Sequence, residues 1–380
     1  MKQKMFSAVS GLMVLAFILS ACAPAVTATQ PATSETQGQA NLAPIVPVAS
    51  GSVQMTGAGA TFPFPLYSRW FYDYAFIDSS VKFNYQSIGS GGGIKQITDK
   101  TVDFGASDAI LNDEQSKAAP GIQMFPTVAG AEALVVNLKG KDGNALTDKI
   151  KFPYTSVADI FLGKIKKWND PILVAANPGI SLPDKDVIVI HRSDGSGTTY
   201  IFSDYLSSVS PEWKTKVGKG TSVQWPVGLG GKGNEGVYGT VIQNEGSIGY
   251  VELAYAVQNK AVLNLVQNKS QEYVDPSPGS TQAAMADFGS QLGDKLALPI
   301  VDGPGKQTYP IAGYTYILMY MDQQDCAKAQ KLIEFFKWAY GDAGDKDATE
   351  LQYVALPKEI KDQVNAKLAK VTCQGKLVNK

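Results

Sequence analysis

Histidine is almost absent from this 380-residue chain, and His191 is the only one. That scarcity removes most metal sites, the HExxH zinc proteases, and most nucleophiles activated by a Ser-His-Asp or Cys-His pair. Charge of either sign is not in excess. Lys and Arg number 34 against 35 Asp and Glu, a net of -1. No overall field pulls the chain onto nucleic acid or an acidic surface, so any attraction for an anion has to be built locally. A long apolar run is missing too, since Gly11 to Leu19 is too short for a comfortable permanent span and no second one follows. Phosphate-loop signatures are incomplete. Ser90 to Gly93 is followed by Ile94-Lys95 rather than Gly-Lys-Ser/Thr, and Gly228-Leu229-Gly230-Gly231-Lys232-Gly233 leads into no nucleotide signature and reads as structural.

Apolar residues make up 44% and charged residues 18%, which suits a soluble globular protein with length enough for two ordinary domains. Residues 1–22 have the form of an export signal. Lys2 and Lys4 precede the apolar stretch, which ends in Leu19-Ser20-Ala21-Cys22. A cysteine at that point resembles a bacterial lipobox, so Cys22 is expected to be acylated and to anchor the chain to a membrane. Residues 23–52 carry Pro24, Pro31, Pro44 and Pro47 with Glu35 as their one charge and no apolar period. They read as a disordered tether, spanning roughly 30 Å r.m.s. as a flexible coil. Cys326 and Cys373 remain, and in an exported chain an even remainder favours a disulfide over two independent thiols.

From Val53 onward short β-like runs alternate with amphipathic stretches, the pattern of an α/β architecture. Leu66, Trp70 and Tyr74 line one helix face after Pro65. Val81 to Tyr85, Val102 to Phe104 and Ala133 to Val136 read as strands, and Val187 to Ile190 as a strand buried on both faces. A helix follows with Ile201, Phe202, Tyr205 and Leu206 on one side, and a later one with Leu332, Phe336 and Tyr340 is expected to stop at Gly341. Three glycine-bearing turns lead into helices: Gly57 to Phe62, Ile88 to Gly93 and Arg192 to Thr198. Unbonded N–H groups and the helix dipole make such starts ready anion sites.

Arg192 stands where a buried strand ends, and its planar guanidinium suits two-pronged capture of an oxyanion. Asp194 is near enough in sequence to clamp it, although a solvated ion pair explains the same two residues. Asp108, in Phe104-Gly105-Ala106-Ser107-Asp108, suits either a helix N-cap or a ligand contact. Ser196 is not the nucleophile of a Gly-x-Ser-x-Gly elbow, because Asp194 and Thr198 occupy the glycine positions. His191 reads as a strand-end packing or surface residue, which argues against hydrolysis.

Taken together these segments resemble the phosphate-binding subunit of the phosphate-specific (Pst) ABC transporters over nearly all of residues 53–380. The resemblance is carried in order by Thr56-Gly57-Ala58-Gly59-Ala60-Thr61-Phe62-Pro63, Tyr85-Gln86-Ser87-Ile88-Gly89-Ser90, and Thr101-Val102-Asp103-Phe104-Gly105-Ala106-Ser107-Asp108. Leu162-Gly163-Lys164-Ile165-Lys166-Lys167-Trp168, Asp194-Gly195-Ser196-Gly197-Thr198 and Gly228-Leu229-Gly230-Gly231-Lys232-Gly233-Asn234 complete it. It implies a two-lobed α/β periplasmic-binding-protein-like fold of type II, with residues 53–131 and 309–380 in one discontinuous lobe and 132–308 in the other. Phosphate would bind between them through Thr61, Phe62, Ser90, Asp108, Arg192, Ser196, Gly197 and Thr198, with Asp194 orienting Arg192. Gly91 stands where many relatives have serine, and His191 where some have arginine. The implied role is capture of inorganic phosphate outside the plasma membrane, with hinge closure and delivery to a permease and ATPase. The protein is then a lipid-anchored, monomeric binder at the cell envelope. It is not an enzyme and has no cofactor, metal or nucleic-acid partner. Competing readings are a binder of another oxyanion, a phosphate-ester hydrolase, and a surface sensor or adhesin.

Overall fold

The structure, a computed structural model, describes residues 51–378. The export signal, Cys22 and nearly all of the 23–52 tether lie outside the described residues. A nine-stranded sheet runs in the order Val81–Ser87, Val53–Gly59, Phe104–Ser107, Ala312–Tyr320, Ile122–Asn137, Ser247–Glu252, Ile188–Arg192, Leu229–Gly231, with Val354–Ala355 added beside Ile122–Asn137. The first three strands are parallel. Ala312–Tyr320 is antiparallel to both of its neighbours in that order, and Ile188–Arg192 is parallel to both of its own.

The 16-residue strand Ile122–Asn137 is the seam. Ala131 pairs with Ala312, and the next residue, Glu132, pairs with Glu252, so the strand exchanges one partner for another between consecutive residues. Its almost unbroken buried run suits a strand covered on both faces. Glu132 is the charged residue inside that run.

Helix positions follow from local chemistry. Phe64–Ile77 has a proline in its first turn, where a missing N–H costs nothing, and buries Leu66, Tyr67, Trp70 and Tyr74 along one face. Beside that face, Phe71 stacks on Phe83 at 4.7 Å, and Phe335 lies 4.7 Å from Phe83. Phe104 closes the cluster at 6.2 Å from Phe71. Truncating one such core ring to alanine costs about 3–5 kcal/mol in general.

Three expectations about element bounds are corrected. Gly57 to Gly59 is not a turn but the end of strand Val53–Gly59. Gly57 serves packing, since a Cβ there would fall 2.1 Å from the Phe104 ring. The strand expected at Val102 to Phe104 instead runs Phe104–Ser107, because pairing with Gly57, Ala58 and Gly59 sets its register. The helix expected to stop at Gly341 does end before it, at Ala339 with Tyr340 as its cap, though not by the expected left-handed turn. Gly341 keeps a negative φ of -86° and leads straight into Asp342–Glu350, so no left-handed stop is made.

Cys326 and Cys373 form a disulfide 47 residues apart in sequence, tying the start of Cys326–Ala339 to strand Thr372–Cys373. In the chain-entropy picture a loop of that size is worth about 4 kcal/mol. Among the described residues no helix is long and apolar enough to cross a membrane, and no group of three His, Cys, Asp or Glu side chains is placed to hold a metal ion.

Candidate anion-binding site

Each candidate phosphate contact lies at the end of a sheet strand, in the turn that follows it, or in the first turn of the next helix. Thr61 and Phe62 follow Val53–Gly59 and lead into Phe64–Ile77. Ser90 is the first residue of Ser90–Thr98, after Gly89, whose φ of +87° is glycine territory. Asp108 follows Phe104–Ser107. Arg192 ends Ile188–Arg192, and Ser196, Gly197 and Thr198 form the start of Gly197–Val209. All of these residues are buried. Asp108 does not cap a helix; that role next to it belongs to Asn112, which accepts from the Gln115 N–H.

The structure brings the two groups together. A Cβ on Gly197 would lie 2.3 Å from Asp108 Oδ2 and 2.4 Å from Ser90 Oγ, so only glycine permits that approach. The Gly91 N–H donates to the Gly195 carbonyl at 2.9 Å. Asn234 Nδ2 donates to Thr61 Oγ1 at 2.7 Å, and the Tyr255 hydroxyl donates to the Thr61 carbonyl at 2.6 Å. These contacts join segments far apart in sequence around one buried centre.

Arg192 is the cationic anchor, its side chain 1% exposed. Nε and Nη2 donate to the two oxygens of Asp194 at 2.8 and 2.6 Å, and Nη1 donates to Thr198 Oγ1 at 3.0 Å. Among the described residues this leaves one N–H on each terminal nitrogen uncommitted, which is the fork an oxyanion needs. Burial disfavours the charge on Arg192, but Asp194 holds its pKa above the usual value. Burial likewise opposes ionisation of Asp194, yet Arg192 and the Gly233 N–H, donating at 3.1 Å, keep its carboxyl below the usual range. The clamp is therefore charged on both sides.

Asp108 is the opposite case. Burial pushes its carboxyl up to about 7, against the pull of Thr315, Arg192 and Ser90. The Ser90 hydroxyl accepts from the Asp108 N–H at 3.1 Å and reaches Asp108 Oδ2 at 3.4 Å, while Oδ1 has no partner among the described residues. Ser196 Oγ accepts from the Thr199 N–H at 3.0 Å and so caps its own helix, leaving its proton for a ligand. His191 faces away. It is half-buried, stacks on Trp225 at 4.7 Å, and burial lowers its pKa.

The family model for the PBP superfamily domain matches residues 28–343. The phosphate-binding protein PstS of Xylella fastidiosa (strain 9a5c) is 48% identical over 315 residues, 83% of this chain and 85% of that protein. The chain belongs to the PstS family within the PBP superfamily. Another PstS, from Haemophilus influenzae, is 46% identical over 309 residues, 80% of this chain and 90% of its own. A solved phosphate-binding protein from Stenotrophomonas maltophilia shares the fold, with a TM-score of 0.63 at 20% identity, covering 83% of this chain and 94% of that one.

Within this PstS-family chain, sequence reasoning missed several residues at the centre. Asn234 closes the glycine-rich segment that read as structural, yet it bonds Thr61. Its Oδ1 also accepts from the Glu252 N–H at 2.9 Å. Tyr255 and the buried carboxyls of Glu132 and Glu252 were missed as well. Glu132 did leave a signal, a lone carboxylate in an otherwise apolar strand.

Proposed function

We propose that this chain captures inorganic phosphate outside the plasma membrane and hands it to an ABC permease. The observation that supports this most is the meeting of a charged, desolvated guanidinium, Arg192, with the buried carboxyl of Asp108 among hydroxyl and backbone donors. Inorganic phosphate at neutral pH still carries a proton, so it can receive hydrogen bonds from donors and give one to Asp108. The donor set is the Arg192 fork, the hydroxyls of Thr61, Ser90, Ser196 and Thr198, and the backbone N–H groups of Phe62 and Gly197. Asp194 aims the fork. The PstS relatives named above support the same ligand.

In this reading residues 53–131 with 309–380 form one lobe and 132–308 the other. The change of partner at Ala131 and Glu132 supports that boundary. Closure brings Gly91 against Gly195 and Thr61 against Asn234, and would seal phosphate from water. Hydrolysis fails on geometry, because Ser196 caps its helix and His191 packs against Trp225. The chain acts as a monomeric binder, anchored through acylated Cys22, that docks on permease and ATPase subunits. Radiolabelled fatty acid should enter the parent and not Cys22→Ala. Calorimetric titration with phosphate and with sulfate tests the central claim. Saturable phosphate binding with no sulfate heat is expected, and comparable binding of the two would overturn it.

A further inference from the structure

We propose that Glu132 is a further ligand-binding residue of this anion site, presenting a neutral carboxylic acid whose O–H donates to the bound anion. The inference rests on the phosphate reading above and adds a residue that no motif marked. Glu132 is fully buried, and neither carboxyl oxygen has a hydrogen-bond partner among the described residues. Side chains alternate along a strand, so Glu132 shares the face of Gly130. On that face a Cβ at Gly130 would lie 2.7 Å from the Phe62 ring and 3.2 Å from Glu252 Oε1. The Phe62 ring packs on this face while its N–H belongs to the donor set, and Glu132 lies near enough to Asp108 and Arg192 for their charges to act on it. A buried carboxyl group without a protein partner calls for one from outside the chain, and an anion bound beside Asp108 and Arg192 can supply it.

Its surroundings decide its protonation. Glu132 faces Asp108 beyond Phe104–Ser107, Arg192 at the end of Ile188–Arg192, Glu252 and Tyr250 on Ser247–Glu252, and Tyr309. The positive charge of Arg192 is already engaged by both oxygens of Asp194. Glu132 and Glu252 are direct partners across the strand pair. Tyr353 adds an independent reading of Glu252. Its hydroxyl lies 2.7 Å from the Phe62 carbonyl and 3.0 Å from Glu252 Oε2. Glu252 Oε2 accepts from that hydroxyl and from the Ala254 N–H at 2.8 Å, so of the two adjacent carboxyl groups Glu252 has donors to steady a charge and Glu132 has none. Burial first, then the neighbouring Asp108, also holds Glu132 well above the usual carboxylate range. Two adjacent buried carboxyl groups do not both ionise. A neutral Glu132 donates; an ionised one repels the anion.

The test uses the purified folded chain, phosphate as the probe, and two variants of similar side-chain length. Glu132→Gln keeps a donor and cannot ionise, whereas Glu132→Met removes the donor. At neutral pH Glu132→Met should weaken phosphate binding about tenfold to a hundredfold, the range for a lost hydrogen bond to a charged partner. Glu132→Gln should stay close to the parent at neutral pH and bind better than it as pH rises, because the parent ionises. Comparing variant with parent at each pH cancels the titration of phosphate itself. Equal affinity of Glu132→Met and parent, or parallel pH profiles for Glu132→Gln and parent, would overturn the proposal. If Glu132→Met does not fold, the Glu132→Gln profile decides alone. Infrared difference spectra of ligand-free parent against Glu132→Gln should show a protonated carboxylic carbonyl band at neutral pH, and its absence would also overturn the inference. That band does not depend on ligand, so a parent that holds the proton but ignores phosphate sinks the phosphate reading instead.

Discussion

The two halves of the buried site obey different electrostatic rules. On the Arg192 side each charge has a partner: Asp194 takes two bonds from the guanidinium and one from the Gly233 N–H. On the Asp108 side, oxygens of Asp108, Glu132 and Glu252 lie buried without a partner among the described residues. The first half is a fixed positive clamp, held ready before any ligand arrives. The second half lowers its cost of burial by holding protons, so its charge depends on pH and on what binds. Selectivity among oxyanions should therefore come from Asp108 in the second half, the group there that has to accept a proton from the ligand.

The largest effect should come from Asp108→Asn, which turns the acceptor into a group able to donate. Above about pH 7, where Asp108 is ionised, the parent should discriminate against sulfate by about a thousandfold or more, since a carboxylate facing an oxyanion without a proton is left unpaired. In the variant sulfate should become a measurable competitor of labelled phosphate. If it does not, discrimination lies elsewhere. The same variant carries a pH signature. The folded carboxyl titrates at about 7 against an ordinary value of 3.8, so the native state holds a proton that the unfolded chain has lost between those values. Ligand-free stability of the parent then falls as pH rises from about 4 to about 7, and thermal melts of Asp108→Asn should show a flatter profile.

Arg192→Lys tests the clamp. It keeps the charge but loses the fork, so phosphate binding should weaken by at least about tenfold, or about 1.4 kcal/mol, with selectivity against sulfate unchanged. A lysine variant that binds like the parent would erase the distinction between the halves. Asn234→Ala removes the side chain that links Thr61 to the Glu252 backbone and should give the smallest change, severalfold in affinity, about 1 kcal/mol. Scattering from the folded body should show a smaller compaction with phosphate than in the parent, because this bond joins the two proposed lobes.

Much of this was legible from residue order. The strand ends at Arg192 and near Asp108 follow from β-branched and apolar runs broken by polar turns. The helix starts at Ser90 and Gly197 follow from glycine and serine placed where N–H groups need partners. Bounds set by pairing were not legible. Strand Phe104–Ser107 takes its register from Val53–Gly59, and no local preference of Val102 reveals that. The helix does stop before Gly341, but Gly341 makes no left-handed turn, because a second helix begins immediately afterwards.

The chain by itself determined an α/β organisation, the polar turns before Ser90 and after Arg192, and the kind of ligand they suit, because those depend on local periodicity and on which residues can donate or accept. Only the tertiary structure decided which carboxyl groups share one dry space. Glu132 and Glu252 are 120 positions apart and meet only because their strands pair at that register. Protonation depends on burial and on the nearest charge, both properties of the folded arrangement rather than of any segment, so the acid half of the site became visible only in three dimensions.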